Sequence, residues 1–233
     1  MKNFLIISLL LMSTVSSSSQ PYSFAQSKGQ YLSLENATNI TNGKAWSGFE
    51  AFTIPIGFPF LFMDSVFTKL SVESTGRLIF DENHYYYADM FVVAGMQDKG
   101  TSSSLSALSY QLSGTSGDQI LKIEFKNATY KKDLGSTISY QLWLYEKAGT
   151  IELHMGPNHI SNPQAAFFRG PYAGVFKVIS FSPTDFDYGK AIIGNPLSPA
   201  DTTFVGTGIN DMILTLDNVP PTNTIYRFTP QSP

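Results

Sequence analysis

The chain has 233 residues, with 15 Lys and Arg against 18 Asp and Glu, a net charge of −3 at pH 7, and no cysteine. So mild an acidity argues against nucleic acid or an anionic membrane surface as partner, and without cysteine there is no disulfide, no thiolate metal ligand and no acylated cysteine anchor. Charged residues make up 14% where about 25% is usual, and the equal share of aromatics suits a β-rich exported protein better than a cytosolic helical one.

Met1-Lys2-Asn3 precedes the apolar run Phe4 to Met12, and small polar residues follow to Gln20. One cation, a short apolar region and small residues before a cut form the pattern of a secretory signal peptide. The run is shorter than the 18 or so apolar residues a membrane-crossing helix needs, so no transmembrane segment is expected. Residues 1–19 are predicted to be removed after Ser19, with Ala25 followed by Gln26 as a second candidate cut. Residues 20–233 are expected to form a single domain, secreted to the periplasm, cell surface or exterior.

Gln30 to Leu34 reads as a first strand, ending in turn residues through Asn42-Gly43. Next, Ile54, Ile56, Phe58, Phe60 and Phe62 alternate with other residues, and Pro55 and Pro59 mark this segment as an edge strand. Val66 to Val72 and Arg77 to Phe80 flank Glu73-Ser74-Thr75-Gly76 as a hairpin. Leu121, Ile123 and Phe125 alternate with Lys122, Glu124 and Lys126, the pattern of a half-buried strand with a solvated charged face.

A second hairpin spans Ile138 to Met155 around Glu146-Lys147-Ala148-Gly149-Thr150. It places Ile138, Tyr140, Leu142, Leu144, Ile151, Leu153 and Met155 on a core face. Ser139, Gln141, Trp143, Tyr145, Glu152 and His154 fall on a face expected to meet water. Gly174 to Phe181, Met212 to Leu216 and Thr224 to Phe228 supply three more strands, and residues 98–118 and 182–211 read as long loops. With no helical stripe beyond the leader and no repeat, the fold class is all-β: an antiparallel β-sandwich of jelly-roll, lectin-like type.

Four segments carry a family resemblance: residues 54–80; LKIEFKNATY with ISYQLWLYEKAGTIELHMG; Gly194-Asn195-Pro196-Leu197-Ser198-Pro199; and Pro220 to Pro230. In this order they resemble the N-terminal lectin-like sandwich domain of secreted and surface proteins from Bacteroidetes-type bacteria, many of which use type IX secretion. Thr75 stands where that family usually has Asn, and Tyr85 to Gly100 does not follow its middle segment. The resemblance implies a sandwich fold and secretion, and it brings no catalytic motif.

The three histidines, His84, His154 and His159, lack the HExxH spacing of a zinc hydrolase, and no Gly-x-Ser-x-Gly elbow is present. Glu124, Glu146 and Glu152 invite a paired-carboxylate glycosidase reading, but Glu124 sits between lysines and Glu146 opens a turn, so surface charge is the plainer role. Asp81-Glu82-Asn83 and Asp185-Phe186-Asp187 cluster oxygen donors of the kind calcium takes. Neither has a defined calcium-loop spacing, so calcium is a possible cofactor and no other is expected. Asn36, Asn39 and Asn127 begin Asn-x-Thr triplets, and Asp64-Ser65-Val66 and Asp201-Thr202-Thr203 resemble short O-glycosylation acceptors of the same bacterial group.

Aromatics give the sharper expectation. Trp143 and Tyr145 share a face with Gln141 and Glu152, and Tyr85-Tyr86-Tyr87 is a run that no single face can bury. A flat ring beside amide and carboxylate groups can stack on a sugar while its neighbours bond the hydroxyls. The predicted function is therefore non-enzymatic recognition of a glycan or surface protein, with Trp143, Tyr145, Gln141 and Glu152 as the ligand site. The alternatives are an assembly subunit without a small ligand and a calcium-dependent hydrolase.

Overall fold

Between Ala51 and Phe62 the side chains themselves explain the strand: Ile54, Ile56, Phe58, Phe60 and Phe62 are buried, and Pro55, Gly57, Pro59 and Leu61 between them are exposed. Period two puts the first set on one face of an extended chain. The computed structural model describes residues 21–47, 50–83, 85–92, 96–97, 107–130, 133–162, 170–181, 183–207 and 215–231. In it this segment is the outermost strand of its sheet, as its prolines predict, since a proline cannot donate to a ladder on its N–H side.

The strands in chain order are β1 (Tyr22–Lys28), β2 (Thr38–Asn39), β3 (Ala51–Phe62), β4 (Ser65–Glu73), β5 (Arg77–Ile79), β6 (Tyr86–Val92), β7 (Met96–Gln97) and β8 (Leu108–Ser113), followed by β9 (Ile120–Tyr130), β10 (Asp133–Tyr145), β11 (Ile151–His159), β12 (Tyr172–Phe181), β13 (Thr184–Ile193), β14 (Ala200–Thr207) and β15 (Thr224–Pro230). One sheet runs β1-β15-β11-β10-β9-β8-β2, with β7 also paired to β9, and the other runs β14-β13-β12-β6-β5-β4-β3. No helix occurs among the described residues, and none there is long and apolar enough to cross a membrane. The molecule is a two-sheet antiparallel β-sandwich of jelly-roll, lectin-like type, as the turn-punctuated alternation predicts.

The inner faces interdigitate into one core. Leu121, Ile123 and Phe125 of β9, Tyr140, Leu142 and Leu144 of β10, and Ile151, Leu153 and Met155 of β11 oppose the phenylalanines of β3 in that core. Phe62 stacks on Phe80 at 4.3 Å and Phe125 on Tyr140 at 4.7 Å, while Trp46 meets Phe125 edge-on at 6.0 Å. Burial of each such side chain contributes about 1.5–3 kcal/mol, which is how a sandwich without disulfides holds. The hairpin's core face is as predicted, and its register sets Tyr140 opposite Met155, Leu142 opposite Leu153 and Leu144 opposite Ile151, with a bulge between Ile138 and Tyr140. Its turn closes through Tyr145 N–H to Thr150 O at 3.0 Å, with Gly149 at a φ of 59° that favours glycine.

Three sequence expectations are corrected. Gln30 to Leu34 pairs with no strand; the first strand is β1, seven residues long. The supposed long loops contain β8, β13 and β14. In β13 the alternation is masked because the second sheet buries apolar groups on both faces: Tyr188 and Ile192 join the central core, whereas Phe186 and Ala191 join an outer cluster with Tyr87, Phe176 and Val178. Of the expected strand at Met212 to Leu216, residues 212–214 lie outside the described residues, and Leu216 makes an isolated bridge to Gly194.

Candidate functional site

Antiparallel register carries side chains across the outer face of the first sheet in two rows. One row is Gln111, Lys122, Trp143, Glu152 and Arg227, drawn from β8, β9, β10, β11 and β15. The next is Ser109, Glu124, Gln141, His154 and Ile225. Their chain neighbours Leu121, Ile123, Leu142, Leu144, Ile151, Leu153 and Tyr226 fill the core, so period two leaves these residues on the far face.

That face is not open to water. Between β1 on one edge of the sheet and β2 on the other, residues 29–37 cross it as a strap. Six interstrand steps of about 4.8 Å make about 29 Å, and the ten residue steps from Lys28 to Thr38 reach about 33–36 Å when extended, so the strap can cross the sheet while bending at Glu35 and Asn36. An extended segment with alternating Tyr31, Ser33 and Leu32, Leu34 looks like a strand in sequence, yet it bonds to side chains rather than to a neighbouring backbone.

The strap is fastened at successive strands. Gly29 N–H donates to Asn223 O at 3.0 Å, and Tyr31 N–H to Asn223 Oδ1 at 2.9 Å. The Tyr31 ring lies on Gly156, where an added Cβ would stand 2.7 Å from its Cε2. Tyr31 O–H donates to Glu124 Oε1 at 2.6 Å, Leu34 N–H to the same carboxylate at 3.2 Å, and Gln141 Nε2 to Leu32 O at 2.7 Å. Gln111 Nε2 donates to Glu35 O at 2.8 Å near the far edge. Burial and the adjacent carboxylate both push the Tyr31 hydroxyl well above the ordinary tyrosine range.

Gln141 and Glu152 were expected to face a ligand, and Glu124 to face water; each is only 1% exposed. The face assignment holds and the solvation does not, because the strap and the neighbouring long side chains cover these groups. Gln141 Nε2 also donates to Glu124 Oε1 at 2.8 Å, and its Oε1 accepts Trp143 Nε1–H at 2.9 Å. Glu152 accepts Tyr145 O–H at 2.6 Å and Arg227 Nε–H, and its Oε2 lies 2.7 Å from His154 Nε2. Burial alone would raise the Glu152 carboxyl; the hydrogen bonds from His154, Tyr145 and Arg227 outweigh it and hold the group at about 2.

Trp143 and Tyr145 are half-buried, with ring centroids 6.2 Å apart and planes tilted by 45°. The His154 ring stacks on the indole at 4.0 Å, and the Lys122 ammonium lies 4.0 Å from its centroid. These partners come from β11 and β9, on either side of β10. Both faces of the indole are therefore covered, and the flat platform expected of Trp143 is instead an exposed edge beside the tilted Tyr145 ring. Sequence reasoning brought the four site residues to one face correctly. It missed Tyr31, Lys122 and Arg227, whose signal lay in register rather than in any local motif.

The remaining candidates are held structurally. Glu146 Oε2 accepts Gly117 N–H at 2.8 Å and Gln119 N–H at 2.9 Å, bracing the β8–β9 turn. Asp81 accepts Tyr86 N–H at 2.8 Å, Glu82 pairs with Lys69 at 2.9 Å, and Asp187 pairs with Lys177 at 2.7 Å. Among the described residues no group of three or more His, Asp or Glu converges as metal ligands would. His159 is exposed, and His84 lies outside the described residues. Of the tyrosine run, Tyr86 packs against the core, Tyr87 enters the outer cluster of the second sheet, and Tyr85 stacks on Phe181 at the surface.

Residues 21–230 match a family model described as NIDO related. No curated protein and no solved structure matches the chain. The family match covers the whole sandwich from β1 to the end of β15.

Proposed function

Taking as premise that the chain belongs to the NIDO-related family, we propose that it is an exported recognition domain that binds a glycan on the outer face of its first sheet, beside the strap. The observation that carries this reading is the layering of charge there. Two carboxylates, Glu124 and Glu152, are buried and saturated with donors, while Lys122, Arg227, Tyr145 and the Trp143 edge are left toward solvent. A rigid tilted aromatic pair flanked by long donors suits a sugar, whose C–H faces are apolar and whose hydroxyls need partners. The resemblance to lectin-like domains of Bacteroidetes-type secreted proteins supports the same reading. Binding of the purified protein across a glycan panel, with Trp143→Ala as control, tests it; absence of any glycan ligand overturns it.

Export is part of the proposal. Of the two cuts, the one after Ser19 fits the fold, because a cut after Ala25 would delete Tyr22, which is 2% exposed, and most of the pairing of β1 with β15. N-terminal sequencing of protein from the envelope or medium should begin at Gln20.

One observation favours a second reading, assembly with another subunit. At the end of the second sheet Ile179, Phe181 and Tyr85 are exposed together, and Tyr85 and Phe181 stack at 5.9 Å. If assembly is the role, Phe181→Ser lowers the oligomeric state in light scattering while glycan binding is absent in both proteins.

A further inference from the structure

The class of glycan that fits is set by the charges of the outer face, provided the recognition reading holds. Among the described residues most ion-paired cations are matched one to one: Arg77 to Asp89, Lys69 to Glu82 and Lys190 to Asp201, while Lys177 sits between Asp64 and Asp187. Lys122, like Lys28, Lys44, Lys126 and Lys147, has no ion-pair partner among the described residues; what sets it apart is its place over an indole, between Gln111 and Trp143 in the strand register. It is half-buried with its ammonium over the indole, so it loses hydration and receives only the ring quadrupole in return.

Arg227 complements it from three strands away, a separation of about 14 Å. Its Nε–H is committed to Glu152, but its side chain is 53% exposed, which leaves the outer end of the guanidinium toward solvent. A guanidinium has five N–H donors, so donors remain for an acidic acceptor. The acids that balance these cations lie beneath them and cannot be reached, because Glu152 and Glu124 are each surrounded by donors of the chain's own. Between Lys122 and Arg227 a ligand therefore meets two cations, with the exposed Glu35 of the strap lying outside that span, beside Gln111 at the β8 edge, on a chain whose net charge is −3.

We infer that the site selects acidic saccharides, with a carboxylate or sulfate of the ligand seated on the Lys122 ammonium, a second acidic group reaching Arg227, and sugar rings lying over Tyr145 and the Trp143 edge between them. The span from Lys122 to Arg227 calls for an oligosaccharide rather than a single sugar. Uronate and sulfate share the chemistry that Lys122 recognises: a compact anion delivered by a polyol scaffold. Neutral glycans leave the ammonium without a counter-charge and bind more weakly.

The test is titration calorimetry of the purified full chain against a polyuronate oligosaccharide, a sulfated oligosaccharide and their neutral counterparts at physiological salt, repeated with Lys122→Gln and Lys122→Arg. Loss of one charge-assisted contact should weaken the acidic ligand by about tenfold or more. Lys122→Arg should restore part of that loss, and circular dichroism should show all three proteins folded. Preference for the uronate arm or the sulfate arm identifies the source of the anion, and either result supports the inference. Equal affinity for neutral and acidic ligands, or affinity unchanged in Lys122→Gln, overturns it while leaving glycan recognition standing. Binding to none of the ligands, together with none across the wider panel, removes the recognition reading as well.

Discussion

The Tyr31 hydroxyl donates to the Glu124 carboxylate at 2.6 Å, joining a strap that belongs to no sheet to the middle of the strand β9. The residues are 93 positions apart in the chain. The carboxylate also takes Leu34 N–H and Gln141 Nε2–H, so one buried acid organises both the strap and the hairpin's outer face. A charge so placed is tolerable because every approach to it is a donor.

Removing that acid should be costly. Glu124→Ala removes the acceptor shared by the Tyr31 hydroxyl, Leu34 N–H and the Gln141 amide, and is expected to cost about 3–5 kcal/mol in urea denaturation. Tyr31→Phe removes one partner and should cost about 1–3 kcal/mol. Gly156→Ala should push on the strap and also on β10, since its Cβ would stand 2.7 Å from the Tyr31 ring and 2.8 Å from Ser139 O. Faster amide exchange in residues 29–36 is the expected signature; unchanged exchange there would show that the strap is not held by these contacts.

Leu142→Ala empties a fully buried position and should cost about 2–5 kcal/mol. On the opposite face Gln141→Ala should also destabilise, by about 1–3 kcal/mol, because it removes the side-chain partner of Leu32 O and of Trp143 Nε1 and one of the donors to Glu124. Lys122→Ala should change stability by less than about 1 kcal/mol. A neutral Gln141→Ala would mean that the amide is solvated after all.

Glu152 sets an acid limb on stability. Its folded value of about 2 lies below the ordinary 4.5, so the unfolded chain binds the proton more readily. The stabilisation it confers is complete above about pH 5 and is lost as pH falls from 4.5 toward 2. Thermal melts from pH 6 down to 2 should show this decline, and Glu152→Gln should flatten it. A decline of the same size in the variant would assign the acid limb to other carboxylates.

Trp143→Ala is expected to separate stability from affinity only in part. The half-buried indole packs on His154 and Lys122, so its loss should cost about 1–3 kcal/mol of stability. Binding should fall by about 2 kcal/mol or more, the scale of a hot-spot aromatic. Trp143→Phe keeps a ring but no donor to Gln141; binding that survives it but not Trp143→Ala points to the ring edge as the contact.

Local pattern was enough for much of this. The alternation of β3 with its two prolines, the β4–β5 hairpin and the β10–β11 core face could be read residue by residue, because period two reports directly which side chains a core will take. β13 could not be read so, since its outer face buries Phe186 and Ala191 while its inner face buries Tyr188 and Ile192, erasing the contrast between faces.

By itself, then, the sequence determined the all-β class, the inner-face residues of the central strands and the gathering of Trp143, Tyr145, Gln141 and Glu152 on one face, because these depend on the handedness and pleat of single strands and one turn. The tertiary structure alone decided which of those residues meet water. Gln141, Glu124 and Glu152 are buried by partners far away in the chain, Tyr31 and Leu34 of the strap and Arg227 of the last strand, and no spacing within one strand encodes the arrival of another segment above it. Solvation belongs to the packed chain as a whole, and it is solvation that leaves Lys122 and Arg227, rather than the amide and carboxylate expected at first, reaching toward water.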